Sequence, residues 1–222
     1  MIILNKVDSI IFAKTDFATL LKAPKKGIRR QIQIANSTIE LLHEKGLSEF
    51  SYEELASKCE ISRGVIYSYF PKLENLLLFT SAYIRFQFQS LVIEAVSKCR
   101  SPQDMIEAYI LSSLSWVDVF PKHGTIWLLF FHQCAVSEQV MKHNSDWVNL
   151  GTQRIEAIIL GGNKAGIFHF NVENSKWLAR HIQLLVTGGL ISRATEVRSE
   201  EEWILEKKNI VTTAFSVLGV SK

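Results

Sequence analysis

The chain has 222 residues, which is enough for one large domain or for a small domain followed by a larger one. Its hydrophobic fraction of 47% supports a substantial core, whereas a net charge of +3 is too small to indicate a nucleic-acid partner. The three cysteines form no CxxC motif and no apolar run approaches the roughly 18–20 residues of a membrane span, so we expect reduced thiols, no membrane partner and a cytoplasmic location.

Residues 1–24 precede the first clear helical pattern. Their apolar residues are interrupted by charges such as Lys6, Asp8 and Lys14, so they lack the unbroken apolar region of a secretory signal. Three interpretations stay open: a short helical extension, a flexible arm, or a mis-assigned start codon. Pro24 marks the end of this segment.

The first helix is predicted over residues 25–45, because apolar residues recur at steps of three and four and Gly46 can end the helix. Four cations crowd its first turns: Lys25, Lys26, Arg29 and Arg30. Cations are unfavourable at this end of the helix dipole, which makes an external anion such as a phosphate attractive. The alternative is an ordinary solvated helix start.

Two short helices follow, separated by a tight break. Ser51 is expected to cap the first in a capping box with Glu54, and Ser62 is expected to cap the second, which extends over Arg63–Tyr69 and stops before Pro71. This is the pattern of a helix-turn-helix, whose second helix fits the major groove of DNA. A helical hairpin inside an unrelated all-α protein has the same pattern.

The residues of this stretch resemble the DNA-binding domain of the TetR family of bacterial repressors. The resemblance covers about residues 27–76 and rests on Leu55-Ala56, Ile61-Ser62-Arg63-Gly64, Ile66-Tyr67-Ser68-Tyr69-Phe70 and Glu74-Asn75-Leu76. Three residues depart from the family pattern. Glu60 replaces the usual turn glycine, so a different or strained turn is expected there. Val65 replaces a small, usually polar residue, and Leu73 replaces a phosphate-contacting lysine for which Lys72 is a substitute.

The resemblance and the helical faces together define a candidate DNA-binding set. Arg63 is expected to read a guanine edge and Val65 a thymine methyl group, whereas the cations of the first helix are expected to contact phosphates. The full set is Lys25, Lys26, Arg29, Arg30, Ser51, Tyr52, Arg63, Gly64, Val65, Tyr67, Ser68, Tyr69 and Lys72.

The remainder of the chain contains only helical patterns, and no convincing β segment is present. Helices are predicted over residues 72–99, 101–120, 122–136, 137–160 and 174–194, with a last one capped by Ser199. Gly161-Gly162 and Gly166 are expected to break the pattern. The fold class is therefore all-α, with an extension at 1–24, a helix-turn-helix domain at 25–75 and a larger helical domain at 76–222.

Aromatic residues are concentrated in the larger domain. They are either core residues or the lining of a ligand pocket, and only the family resemblance, whose second domain binds a small effector, favours the pocket. Since no acidic residue lies between Ile126 and Cys134, we expect a small apolar effector. The candidate ligand-binding residues are Trp116, Phe120, Trp127, Phe130, Phe131, His132, Trp147, Phe168, Trp177 and His181.

An enzymatic or metal-binding function finds no support in the motifs. HExxH, GxSxG, paired CxxC and a glycine-rich phosphate loop are all missing from the sequence, so no catalytic residue, metal or cofactor is expected. The sequence predicts a ligand-responsive transcriptional repressor that binds a palindromic DNA operator as a homodimer. The dimer is expected to form through stripes on the last two helices. On the penultimate helix one stripe is Leu178, Ile182, Leu185 and Gly189, and a neighbouring one is Trp177, His181, Leu184, Gly188 and Ile191; the last helix adds Trp203, Ile210, Ala214 and Phe215. The alternative is a regulator that responds to no effector.

Overall fold

The computed structural model describes residues 26–220, and within that range it contains nine α-helices, one short 3-10 helix at Val172–Asn174 and no β-strand. The helices are α1 Lys26–Lys45, α2 Tyr52–Lys58, α3 Arg63–Tyr69, α4 Leu73–Ser97, α5 Pro102–Val119, α6 His123–Val136, α7 Glu138–Lys164, α8 Ser175–Thr195 and α9 Glu200–Val217. The all-α prediction is confirmed. The predicted extension of residues 1–24, together with Lys25, lies outside the described residues.

The chain divides into two compact units. The first contains the described residues up to Gln87 together with Lys122–Val136, and the second contains Phe88–Pro121 and the described residues from Ser137 onward. Helix α6 is thus grouped with α1, whereas the sequence analysis placed it in the second domain. The domain boundary after residue 75 stays a prediction, since compactness does not establish where the functions divide.

The core of the first unit forms where α1, α2 and α3 bring their apolar faces together. Leu55, Ile66 and Phe70, which the sequence pattern placed in this core, are each 0% exposed. Phe70 also packs against Phe79 of α4, with ring centroids 5.3 Å apart. The first residues of α4 therefore complete the core of the helix-turn-helix.

The turn between α2 and α3 has the expected unusual backbone. Glu60 has a φ of 55°, in the left-handed region that favours glycine. The N–H of Ile61 donates to Ala56 O at 3.0 Å and the N–H of Glu60 donates to Ser57 O at 3.1 Å, which is a Schellman motif. Gln33 of α1 donates from Nε2 to Cys59 O at 3.1 Å and ties this turn to the first helix.

The helix caps match the sequence only in part. Ser51 accepts from the N–H of Glu54 at 3.2 Å, but the Glu54 carboxylate bonds to Lys45, so the predicted reciprocal capping box is not formed. Ser62 occupies the cap position of α3, yet its side chain makes no capping bond. A complete capping box occurs instead at the start of α9, between Ser199 and Glu202.

The second unit is built from α5, α7, α8 and α9, and its polar centre is Asp118. Its carboxylate accepts from Trp203 Nε1 at 2.9 Å, from Arg193 Nε at 3.3 Å and from Lys207 Nζ at 3.3 Å. Trp203 is 0% exposed, and both cations lie over its ring. One side chain of α5 thereby joins α8 and α9.

The predicted end of α7 at its glycine pair was wrong. Gly161-Gly162 was expected to end α7, but the helix continues to Lys164 and Gly166, with a φ of 70°, follows its end. A Cβ on Gly162 would lie 2.2 Å from Phe168 Cδ2, so the glycine makes room for a buried ring. The pattern did not reveal this contact, because Phe168 returns to the helix from the following loop.

Helix α4 is long and apolar enough to cross a membrane by length and composition, a property that the search for an unbroken apolar run missed. More than half of its most apolar stretch is buried within the fold. A core helix passes the same test, so this is weak support for a membrane span.

Candidate nucleic-acid interface

Helix α3 presents one buried side and one open side. Ile66 is 0% exposed, whereas Arg63, Gly64, Tyr67 and Ser68 are exposed. The Ser68 hydroxyl donates to Val65 O at 2.7 Å, and Val65 itself is half-buried. A cation, a phenol and a hydroxyl thus share the open side, which is where a recognition helix needs groups for base edges and phosphates.

Tyr52 fixes the orientation of α2 against α3. Its half-buried ring packs against Tyr67 at a centroid distance of 4.8 Å, and its hydroxyl donates to Phe70 O at 3.0 Å. Burial raises the pKa of Tyr52 to about 12, so the phenol stays neutral and able to donate. Tyr52 therefore supports the exposed Tyr67, although the sequence analysis included it as a DNA contact.

Arg63, the first residue of α3, forms an ion pair across the turn. Its guanidinium Nη1 lies 3.5 Å from Glu53 Oε2 of α2. Both side chains are well exposed, at 63% and 80%. Sequence analysis assigned no role to Glu53, and only the helix-turn-helix geometry brings the carboxylate to this arginine.

The other predicted contacts are found in the same unit. Lys26, Arg29 and Lys72 are exposed, and Arg30 donates from Nη1 to Gln33 Oε1 at 2.7 Å. Ser51 uses its hydroxyl as the cap of α2, and the half-buried Tyr69 faces Gly27, where a Cβ would lie 3.9 Å from the Tyr69 ring. The described members of the predicted DNA-binding set therefore lie in one unit with α3.

The family model described as "Bacterial regulatory proteins, tetR family" matches residues 34–78, which contain α2, α3 and the start of α4. This stretch of the chain therefore matches a tetR-family DNA-binding domain, and it contains the helix-turn-helix of α2 and α3.

A curated relative is the uncharacterized HTH-type transcriptional regulator YuxN of Bacillus subtilis (strain 168). It is 33% identical over 70 residues, which are 32% of this chain and 24% of the relative. The match thus spans about a quarter of that protein's length.

Solved structures of TetR regulators share the fold over most of the chain. One from Cytophaga hutchinsonii has a TM-score of 0.72 at 21% identity, covering 89% of this chain and 98% of its own. One from Haloarcula marismortui has a TM-score of 0.69 at 14% identity, covering 86% and 97%. At such identities the likeness concerns the fold alone.

The predicted ligand-binding residues are divided between the two units. Trp127, Phe130, Phe131 and His132 lie on α6 in the first, and the others lie in the second: Trp116, Phe120, Trp147, Phe168, Trp177 and His181. Trp127 and Phe131 meet edge to face with centroids 4.7 Å apart. They are half-buried and remain candidates for contact with a small molecule.

The candidate ligand-binding residues differ widely in exposure. Trp177 is 63% exposed and stacks on His181 at 5.3 Å, so this pair lies on the outer surface of α8. His132 is exposed, and Phe168 is fully buried against Gly162. Helical spacing gives the face of a residue relative to its neighbours, but not whether that face is covered.

Two buried polar groups escaped the sequence analysis. Arg85 of α4 is 9% exposed, and its guanidinium lies 4.2 Å from the ring centroid of Phe130. Burial lowers its pKa to about 10, which leaves it charged at neutral pH. In the second unit, Thr152 donates to Gln183 Oε1 at 2.5 Å. Both groups lie in helices that the sequence analysis described by their apolar residues.

A metal centre finds no candidate ligands in the part of the chain that the structure describes. Over residues 26–220, no group of three or more histidine, cysteine, aspartate or glutamate side chains is placed to hold an ion. The histidines and cysteines considered in the sequence therefore do not converge within that range.

Proposed function

We propose that the protein is a cytoplasmic repressor that binds a palindromic operator as a homodimer and is released by a small effector. The observation that supports it most is the open side of α3, where Arg63, Tyr67 and Ser68 are exposed next to a packed supporting helix. A single recognition helix reads few base pairs, so two copies on a two-fold site provide the specificity that a regulator needs.

DNA reading is tested by separating base contacts from phosphate contacts. We expect Arg63→Ala to cost about 1–3 kcal/mol on the specific site, since a bidentate guanine contact is lost. Lys26→Ala should weaken binding to all sequences alike and reduce the salt dependence. Fluorescence anisotropy with duplex DNA from upstream of the chain's own gene measures both. An unchanged operator affinity for Arg63→Ala would contradict the assignment of α3 as the recognition helix.

The proposed dimer surface is an exposed apolar stripe on α8. Trp177, Leu184 and Ile191 are spaced seven residues apart and are 63%, 51% and 38% exposed, and Gly188 between them has open space around it. On α9, Ile204 and Leu205 are 57% and 56% exposed. Apolar side chains at helical spacing on two helices are typical of a surface covered by a partner.

The sequence analysis included further residues in this dimer surface. Gly189 is buried inside its own unit, where a Cβ would lie 2.8 Å from Leu114 Cδ2 and 2.9 Å from Ile210 Cδ1. Trp203, Ile210 and Ala214 are likewise buried in the second unit. Those residues support α8 and α9 from within, so the proposal keeps the predicted stripe around Leu184 and omits them.

The oligomeric state decides this part of the proposal. Light scattering at micromolar concentration should give a dimer, and Leu184→Glu should give a folded monomer with much weaker operator binding. Met141→Glu, which introduces the same charge at a residue of α7 that is 50% exposed, is the matched control and should leave the dimer intact. A monomeric wild-type protein would refute the homodimer.

The effector is proposed to contact α6 through Trp127 and Phe131. A thermal-shift screen with small apolar compounds should identify stabilising ligands, which should then weaken operator binding because DNA and effector favour different states. Trp127→Ala should reduce that response and leave DNA affinity without ligand nearly unchanged. If every compound that raises the melting temperature leaves operator binding unaffected, the effector-independent regulator is the better description.

A further inference from the structure

The ion pair between α2 and α3 points to a specificity determinant beyond the recognition helix itself. We propose that Glu53 and Arg63 act together to read one guanine–cytosine base pair in each half-site. This inference rests on the proposed use of α3 as the recognition helix. Glu53 would be the residue that makes the contact selective, because its carboxylate tests the base opposite the guanine.

The pair is not explained by stability. Glu53 and Arg63 are 80% and 63% exposed, and ion pairs between exposed side chains contribute little to folding. The backbone of each residue nonetheless has a defined place, since Glu53 lies in the first turn of α2 and Arg63 begins α3. The Tyr52–Tyr67 ring contact and the Tyr52 hydroxyl bond to Phe70 O hold these two helices together.

The carboxylate makes Arg63 a poor phosphate ligand. Glu53 Oε2 lies 3.5 Å from Nη1, so a phosphate that approached the guanidinium would also come close to this carboxylate, and the two anions would repel each other. The exposed Lys26 of α1 and Lys72 before α4 belong to no ion pair among the described residues. Phosphate contact is therefore favoured at those lysines, and base contact is favoured at Arg63.

The two side chains match the major-groove edge of a guanine–cytosine pair. Guanine presents N7 and O6 as acceptors for a guanidinium, and cytosine presents its N4 amino group as a donor for a carboxylate. Guanine O6 and cytosine N4 are hydrogen-bonded to each other at about 2.9 Å, close to the separation of the protein atoms. The guanidinium donors of Arg63 thus face the acceptors N7 and O6 of guanine, and the carboxylate of Glu53 faces the N4 donor of cytosine.

The same arrangement disfavours the other base pairs. When adenine replaces guanine, thymine O4 comes to lie opposite the carboxylate, and two acceptors then face each other without a proton. When guanine and cytosine are exchanged, guanine O6 faces Glu53 instead. Glu53 therefore contributes specificity by penalising wrong sequences as well as by accepting from the right one.

The experiment selects binding sites from a library of random duplex DNA with the full-length wild-type protein, Glu53→Gln and Glu74→Gln. Glu74 is an exposed carboxylate of the same unit that belongs to no ion pair among the described residues, so its variant controls for the loss of one negative charge. Anisotropy titrations then compare the selected duplex with duplexes that carry each of the other three base pairs at the selected guanine–cytosine position.

We expect the wild-type site to contain one guanine–cytosine pair per half-site at which substitution by adenine–thymine weakens binding by at least tenfold. In Glu53→Gln that discrimination should fall to threefold or less, while binding to unrelated DNA becomes tighter. Glu74→Gln should retain the wild-type discrimination. The proposal is overturned if Glu53→Gln tightens binding to all duplexes by the same factor, because Glu53 is then only a repulsive charge. Failure of the wild-type protein to select any sequence would instead refute the proposed function.

Discussion

The helix pair α2–α3 and the helix pair α7–α8 are stabilised in different ways. Helices α2 and α3 have seven residues each and depend on a cap, a left-handed turn and a few buried side chains. Helices α7 and α8 have 27 and 21 residues and depend on close packing against each other and their neighbours. The first pair is determined by local chemistry that is visible in the sequence, and the second by contacts between distant residues.

Gly162 provides the strongest test of this contrast. Gly162→Ala should lower the free energy of unfolding by about 3 kcal/mol, because its Cβ would lie 2.2 Å from Phe168 Cδ2 and that ring is fully buried. Gly161→Ala is the matched control, since nothing lies within 4 Å of its Cβ, and it should be neutral or stabilising. Urea unfolding measures both. Equal effects of the two substitutions on the free energy of unfolding would show that the close contact between Gly162 and Phe168 does not determine which residue α7 accepts there.

Burial of His123 in the first unit should make the stability of the protein depend on pH. His123 is 7% exposed at the start of α6, and burial lowers its pKa to about 4 from the usual 6.5. Because the unfolded chain takes up a proton at this histidine before the folded protein does, stability is full above pH 6.5 and decreases as the pH falls towards 4. The loss between pH 7.5 and pH 5 should be about 2 kcal/mol.

Variants of two histidines in α6 isolate that contribution. His123→Gln should reduce the loss of stability on acidification, whereas His132→Gln, at an exposed position of the same helix, should leave it unchanged. Urea unfolding at the two pH values provides the measurement. If both variants lose as much stability as the wild type, then other groups cause the pH dependence and His123 is protonated in the folded protein.

Asp118 tests whether the second unit depends on one polar contact as well as on packing. Asp118→Ala should cost about 2 kcal/mol, because the indole N–H of the fully buried Trp203 loses its acceptor. Asp118→Asn keeps an oxygen for that N–H and removes only partly exposed ion pairs, so it should cost less than about 1 kcal/mol. Similar losses for the two variants would assign the energy to the ion pairs instead.

Sequence reasoning succeeded where a residue acts on its immediate neighbours. The predicted caps Ser51 and Ser199 accept the expected backbone bond, and the unusual turn at Glu60 is present, although the predicted cap Ser62 makes no such bond. It failed where the decisive partner is distant. The Gly162–Phe168 contact is one example.

The candidate sites show the same division. The open side of α3 was predictable, because a seven-residue helix with one buried isoleucine leaves few alternatives. The pairing of Arg63 with Glu53 was not, since it depends on the angle between two helices. Trp116 and Trp177 have the same side chain and both lie inside predicted helices, yet they are 2% and 63% exposed. Only the packing of the unit distinguishes them.

The smallest expected effect concerns the backbone of the recognition turn. Glu60 holds a φ of 55°, which costs a residue with a Cβ roughly 1–2 kcal/mol, whereas glycine adopts it freely but loses more entropy on folding. Glu60→Gly should therefore raise the free energy of unfolding by about 0.5–1 kcal/mol. Glu60→Ala, which retains the Cβ, should bring no gain. Because the Schellman bonds of Glu60 and Ile61 involve only the backbone, the spacing of α2 and α3 should be retained and DNA affinity should change less than twofold. If Glu60→Ala stabilised the protein as much as Glu60→Gly, the carboxylate and not the left-handed backbone would be the source of the cost.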